Sequence, residues 1–159
     1  MIRLEKLTLP ELCFRAVARY RNKVCFQIYR DGGVYDRLSY GEFGVRVRRF
    51  ASLLKQMGIG RGDRVMILAE NRPEWPIAYF GTALAGAVTV PVLTDFTPEQ
   101  AGVIAEHAEV SIICYTGRTA SKITKIDPAI PAIRIDELPE TEQPEQKAEF
   151  DEFAGINEE

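Results

Sequence analysis

The sequence has few of the residues that build metal centres and covalently stapled folds. It contains three cysteines, one histidine and one tryptophan among 159 residues. Cys13, Cys25 and Cys114 lie far apart, and the sequence holds no Cys-x-x-Cys and no Cys/His cluster. These absences exclude a disulfide framework and a structural zinc site. The pattern indicates three buried thiols in a reducing compartment.

Motifs for catalysis are also missing. No His-Glu-x-x-His, Gly-x-Ser-x-Gly or Walker A segment is present. His107 has no serine or cysteine with an obvious pairing to it, and its place near the end of a predicted helix suits a structural role. No pair of carboxylates stands in apolar surroundings that would push the two pKa values apart. The residues alone therefore predict no catalytic, cofactor-binding or metal-binding side chain.

The sequence also lacks a signal peptide and a clear membrane span. Residues 1–6 have no apolar run. Residues 75–94 are uncharged and long enough to cross a bilayer, but Pro91 would break such a helix near its end. A buried helix followed by a buried strand explains the same residues. We predict a cytoplasmic protein without a transmembrane segment, whose membrane association, if any, is peripheral.

What is present is a globular composition with an uneven distribution of charge. The chain is 27% charged and 46% hydrophobic, with a net charge of −3, and its length suits one domain. Residues 139–159 hold eight acidic residues and one basic residue, whereas residues 1–138 hold 15 acidic and 19 basic residues. We predict an α/β domain over 1–138, an acidic linker or tail over 139–159, and no nucleic-acid partner.

Capping signals and hydrophobic periodicity predict an α/β fold. Capping boxes at Thr8 and Ser39 begin two helices that flank a hairpin over residues 24–38, and the second helix is strongly amphipathic. Residues 64–115 then alternate as β-α-β-α-β, which indicates a parallel sheet with flanking helices. Residues 87–93 predict a strand buried on both faces, because they are uncharged and do not alternate. Residues 133–135 predict a further short strand.

Three segments invite a phosphate-binding interpretation. The glycines at 58, 60 and 62 follow a helix and open a strand, which is the reverse of a dinucleotide-binding loop. Residues 115–122 follow a strand and contain a lysine, but they hold a single glycine. Four basic residues lie mostly off the apolar stripe of the second helix and suit either a solvated face or anionic lipid: Arg46, Arg48, Arg49 and Lys55. We favour the structural interpretation of all three segments.

Four short segments, taken in order, resemble the AMP-forming adenylating enzymes. Residues 38–43 are similar to the first core motif of the family, residues 60–65 to its Gly-Asp-Arg-Val turn, and residues 84–91 to its second core motif, although no lysine precedes Ala85. Residues 70–75, Glu-Asn-Arg-Pro-Glu-Trp, resemble a segment of the acyl-CoA synthetase branch, particularly the long-chain fatty acid ligases. The resemblance gives structural roles to seven motif residues: Ser39, Tyr40, Glu42, Gly62, Asp63, Gly86 and Pro91.

The resemblance covers about residues 8–138 and implies the N-terminal α/β subdomain of a ligase. The parent reaction that it implies converts a fatty acid, ATP and CoA, with Mg²⁺, to acyl-CoA, AMP and diphosphate. The phosphate loop and the catalytic lysine domain of the family have no counterpart in this sequence, so we expect no adenylation by this chain alone. The expected partners are the remainder of the parent ligase and, through an exposed apolar surface, a second copy of the chain.

Two other functions stay open at this point. The chain is, in the first alternative, a freestanding and non-catalytic protein-interaction module. In the second, it is a fragment of an aryl, short-chain or amino-acid adenylating enzyme, because acyl selectivity is set largely outside this segment. An exposed apolar face favours a ligase fragment over the freestanding module, whose face would be polar.

Overall fold

The structure is a computed structural model that describes residues 8–30 and 32–139. The α-helices are α1 (Leu9–Tyr20), α2 (Tyr40–Gln56), α3 (Glu74–Ala85) and α4 (Pro98–His107). The strands are β1 (Val24–Arg30), β2 (Gly33–Ser39), β3 (Arg64–Leu68), β4 (Val88–Pro91), β5 (Ile112–Tyr115) and β6 (Ala132–Arg134). Short 3₁₀ helices cover Gly117–Ile123 and Ile135–Glu137. The predicted acidic tail lies, apart from Pro139, outside the described residues.

The strands form two separate sheets. β1 and β2 pair as an antiparallel hairpin, and the other four strands form a parallel sheet in the order β4-β3-β5-β6. Helices α3 and α4 connect β3 to β4 and β4 to β5, which is the β-α-β-α-β arrangement that the sequence predicts. The short strand predicted over 133–135 is found one residue earlier, paired with β5. The predicted fold class is confirmed.

The parallel sheet is the middle layer of three. Val65 and Ile67 of β3 pack into a core shared with α1, α2 and α3, whereas Met66 and Leu68 pack into a second core against α4. All four side chains are fully buried. Successive side chains of a strand point to opposite faces, so an unbroken apolar run is needed where both faces are covered.

Helix α2 is held at its start by side-chain caps and along its length by one buried stripe. The Ser39 Oγ accepts from the Glu42 N–H at 3.2 Å, and the Glu42 carboxylate accepts from the Ser39 N–H at 2.8 Å. The same reciprocal capping occurs at α4 between Thr97 and Gln100. Of the apolar stripe predicted for α2, Phe43, Val47, Phe50 and Leu54 are buried, whereas Met57, its fifth member, is the C-cap of the helix and is exposed.

Strand β4 differs from the prediction. The expected burial on both faces is wrong, because β4 is an edge strand that pairs with β3, and Val88 is 51% exposed. The N–H groups of Val88 and Val92 donate to the carbonyls of Asp63 and Ile67 in and before β3. Alternate residues of a strand direct their nitrogens to opposite sides, so the nitrogen of Pro91, next to Val92, points away from β3. Proline is tolerated at an edge for this reason, since it has no N–H to donate.

Residues 75–94 form most of α3 and all of β4, as a helix followed by a strand. Helix α3 buries Ile77, Ala78, Gly81, Thr82 and Ala85. Among the described residues, no helix is both long enough and apolar enough to cross a membrane.

Candidate functional site

The carboxyl ends of β3, β5 and β6 meet at one edge of the parallel sheet. Open α/β sheets commonly bind ligands at this edge. The residues that follow these strands bring together a group of polar side chains, which we call the strand-end network: Glu70, Arg72, Glu74, Thr116 and Asp136. It is the candidate functional site of this chain.

Arg72 lies at the centre of the strand-end network. Its Nε donates to Glu74 Oε2 at 2.6 Å, and its Nη1 lies 3.3 Å from Glu70 Oε1 and 3.7 Å from Asp136 Oδ2. Each of these side chains is at most a quarter exposed. One guanidinium therefore joins the loop after β3 to the start of α3 and to the short 3₁₀ helix that follows β6.

Two threonines fix the turn after β5 against the same loop. Thr116 Oγ1 donates to Glu70 Oε2 at 2.6 Å, and the Thr116 N–H donates to Thr119 Oγ1 at 3.0 Å. Thr119 Oγ1 in turn donates to the Leu68 carbonyl at 2.7 Å. The Gly117 N–H donates to the Asp136 carboxylate at 3.1 Å. The backbone donors at the start of segment 115–122 are thus used within the protein.

The network favours ionised carboxylates and a charged guanidinium. Burial by itself would raise the pKa of Glu70, but hydrogen bonds from Thr116, the backbone and Arg72 outweigh it and lower that pKa. For Asp136, burial is likewise outweighed by the Gly117 N–H and by Arg134, so its pKa is lowered. The hydrogen bond to Glu74 is the main reason why the pKa of Arg72 is raised.

These residues do not fit ATP. Three carboxylates surround Arg72, and the N–H groups that a phosphate would need already bind Thr119 and Asp136. Among the described residues, no group of three or more His, Cys, Asp or Glu side chains is placed to hold a metal ion. The network can position the loop over 70–74, but it offers neither a phosphate cradle nor a free base.

The seven motif residues do not converge on this site. Ser39, Tyr40 and Glu42 lie at the beginning of α2, where the Tyr40 ring packs 5.6 Å from the ring of Tyr20. That position is on the helical layer and outside the strand-end network. The other four motif residues lie in or next to the parallel sheet.

Three further motif residues lie at the amino end of the sheet. Gly62 adopts φ 90° in the turn before β3, and Gly86 adopts φ 83° as the C-cap of α3, so both occupy the left-handed region that glycine tolerates. Asp63 accepts from the Gly60 N–H with its carboxylate, and its carbonyl accepts from the Val88 N–H at 2.8 Å. Pro91 ends β4 at the carboxyl side of the sheet, but it is not one of the residues of the strand-end network.

Sequence reasoning missed most of the strand-end network. It placed residues 70–75 in a family segment, but it gave no role to Thr116 and Asp136 of the network, or to Thr119, which binds Thr116. The available signal was positional, because a polar residue follows β5 directly and follows β3 after a single alanine.

The cysteines and the histidine supply no reactive group here. Burial, with a further effect from Cys25, raises the pKa of Cys13 to about 12, and burial raises that of Cys114 to about 12. Cys13 and Cys114 are buried as predicted, whereas Cys25 is half-buried, and all three are free thiols. His107 lies in the last turn of α4, where it was expected.

Comparison with known proteins identifies relatives among ligases. A curated relative, "4-coumarate--CoA ligase 3" of Oryza sativa subsp. japonica, is 30% identical over 132 residues, which are 82% of this chain and 23% of that protein. The chain thus spans about a quarter of the length of that relative.

Solved structures match the fold. The fatty acyl-adenylate ligase from L. pneumophila has a TM-score of 0.73 at 19% identity, over 86% of this chain and 24% of that one. A protein assigned as a long-chain-fatty-acid CoA ligase from Rhodopseudomonas palustris CGA009 has a TM-score of 0.70 at 25% identity, over 82% of this chain and 34% of that one. The family model of the AMP-binding enzymes matches residues 13–158. The chain therefore belongs to the AMP-binding enzyme family.

Proposed function

We propose that this chain is the N-terminal scaffold of an AMP-forming acyl-CoA ligase that acts on a long-chain fatty acid. The observation that carries the proposal is the segment 70–75. Its sequence resembles the long-chain branch, and it follows β3 at the carboxyl edge of the sheet, where open α/β sheets commonly bind ligands. The likeness to the Rhodopseudomonas palustris protein supports the same substrate class.

The parent reaction in this proposal converts a fatty acid, ATP and CoA, with Mg²⁺, to acyl-CoA, AMP and diphosphate. The role of this chain in that reaction is to hold the loops at the carboxyl edge of the parallel sheet in place. Arg72 and Asp136 hold the loop after β3, the turn after β5 and the short 3₁₀ helix after β6 in fixed relation. Groups that must act on a phosphate need such preorganised support.

A second candidate substrate is an aryl acid. It is favoured by the 30% identity to a ligase named for 4-coumarate. The two candidates differ in the acyl group and share the ligase chemistry, so one assay separates them.

The test begins with the DNA that follows the codon for Glu159. The proposal predicts an in-frame continuation into a Ser/Thr/Gly-rich loop and a lysine, and a stop codon there would favour the freestanding module instead. The continued product is then assayed for AMP formation with palmitate and with 4-coumarate. Faster turnover of palmitate supports the long-chain substrate, and faster turnover of 4-coumarate overturns it.

The 159-residue chain itself gives a complementary test. We expect no exchange of pyrophosphate into ATP above background with any acyl acid, because the described residues do not fit ATP. Exchange above background by the purified chain would contradict the scaffold role. The continued product serves as the positive control.

A further inference from the structure

Positive charge is concentrated in one half of the molecule. Residues 8–60, which form α1, the hairpin and α2, hold ten basic and four acidic residues, a balance of +6. Residues 61–139 hold seven basic and ten acidic residues, a balance of −3. The helical and hairpin half is therefore cationic, although the whole chain carries −3.

Part of this charge is clustered where α1 meets α2. Arg19, Arg21 and Lys23 are all exposed at or just after the end of α1. The Arg19 guanidinium carbon lies 5.6 Å and the Lys23 Nζ 5.3 Å from the centre of the Tyr20 ring. The Arg21 carbonyl accepts from the Gly41 N–H at 2.9 Å, which ties the segment to α2. The cluster is thus anchored to the fold at its backbone.

Apolar side chains are exposed in the same half. Leu12 is 42% exposed and lies seven residues before Arg19, so both are on one side of α1. Leu9 and Val24 are exposed to a similar extent, and Tyr29 is 72% exposed. Leucine and tyrosine beside cations are typical of surfaces that lie in the headgroup region of a bilayer. Phosphates of a nucleic acid would engage the cations but offer no apolar phase for Leu12.

We propose that the end of α1 docks on an anionic phospholipid bilayer. The membrane-docking surface comprises Leu12, Arg19, Arg21 and Lys23, with Arg21 and Lys23 at lipid phosphates and Leu12 at the acyl boundary. This inference goes beyond the ligase function and does not depend on the acyl substrate.

The test measures cosedimentation of the 159-residue chain with vesicles. Two compositions are used: phosphatidylcholine alone, and phosphatidylcholine mixed with phosphatidylglycerol. We expect binding to the mixed vesicles, weakened by added salt. The double variant Arg21→Glu, Lys23→Glu should bind at least about 30-fold more weakly, given the contribution of each basic residue near an anionic surface. Leu12→Ser should lower the binding that persists at high salt.

A matched control makes the same change of charge in the other half. Lys122→Glu, Lys125→Glu alters the net charge equally, and it should retain most of the binding. Circular dichroism checks that each variant folds. If the charge-reversal variant Arg21→Glu, Lys23→Glu unfolds, the neutral variant Arg21→Gln, Lys23→Gln replaces it, and a smaller loss of vesicle binding is expected. Equal loss by the control, equal binding to phosphatidylcholine alone, or tighter binding to duplex DNA at the same salt would each overturn the proposal.

Discussion

At the residue scale, two buried threonine hydroxyls have opposite environments. Thr82 Oγ1, inside α3, has no hydrogen-bond partner among the described residues, whereas Thr119 Oγ1 donates to the Leu68 carbonyl at 2.7 Å. Both side chains are at most 2% exposed. A buried polar group without a partner retains its desolvation cost, so the two hydroxyls affect stability in opposite directions.

We expect Thr82→Val to raise the free energy of unfolding by about 1 kcal/mol, because it removes an unpaired buried hydroxyl at nearly constant volume. The matched variant Thr119→Val should lower it by about 1–3 kcal/mol, since it leaves the Thr116 N–H without its acceptor. Urea unfolding at neutral pH measures both. Destabilisation by Thr82→Val would contradict this account.

At the element scale, close packing of α1 on α2 depends on a glycine. A Cβ built on Gly44 would lie 2.7 Å from Val17 Cγ1. We expect Gly44→Ala to destabilise the fold by about 1–3 kcal/mol, because the stiff valine cannot turn away without moving α1. Combining it with Val17→Ala should recover part of the loss, and Gly60→Ala, which meets nothing within 4 Å, is the control. Denaturant unfolding of the wild type and these three variants tests this, and equal stability of Gly44→Ala and Gly60→Ala would refute it.

The strand-end network predicts a pH dependence at the same scale. The folded state lowers the pKa of Glu70, so its stabilising effect is complete above the pKa of the unfolded chain, about 4.3, and is lost as the pH falls through the folded value. We expect Glu70→Gln to be less stable than the wild type at pH 7, with a gap that narrows in acid. Urea-unfolding midpoints of the wild type and Glu70→Gln, measured from neutral pH down into acid, give this difference in stability. Glu106→Gln, which changes an exposed residue on α4, is the control. A gap that stays constant with pH would rule out this role for Glu70.

At the scale of the whole molecule, the uncharged edge strand β4 predicts self-association. Val88 and the nearby Leu93 are exposed, and an open apolar edge favours pairing between copies unless it is blocked. We expect the apparent mass in light scattering to rise with concentration, and Val88→Lys to reduce that rise. Val103→Lys, on the exposed side of α4, is the control. A mass that stays monomeric at every concentration would contradict the prediction.

Local signals decided much of the fold before any tertiary contact was known. The capping residues Thr8 and Ser39 locate two helix starts, because the side chain of each accepts from the backbone N–H three residues later in the first helical turn. The apolar run over residues 65–68 of β3 is buried on both faces of the sheet. The prediction that residues 87–93 are buried on both faces was wrong, because composition does not say which strand occupies the edge.

The candidate site was the least predictable part. Arg72 and Asp136 are 64 positions apart in the chain, and Thr116 lies between them. Their meeting at one edge depends on the strand order and on the lengths of β3, β5 and β6, none of which a spacing pattern encodes. Ser39 and Glu42 act together within one helix cap and Gly86 ends a helix, so local patterns are enough to locate them.

The sequence by itself determined the elements, the parallel crossovers and the family, because these follow from local periodicity, capping and short motifs. The tertiary structure alone decided that β4 stands at the edge, that the donors of segment 115–122 are already occupied, and that Arg72 is enclosed by three carboxylates. The physical reason is range. Local patterns fix dihedral preferences within a few residues, whereas burial and ion pairing are set by neighbours that only the folded chain brings together.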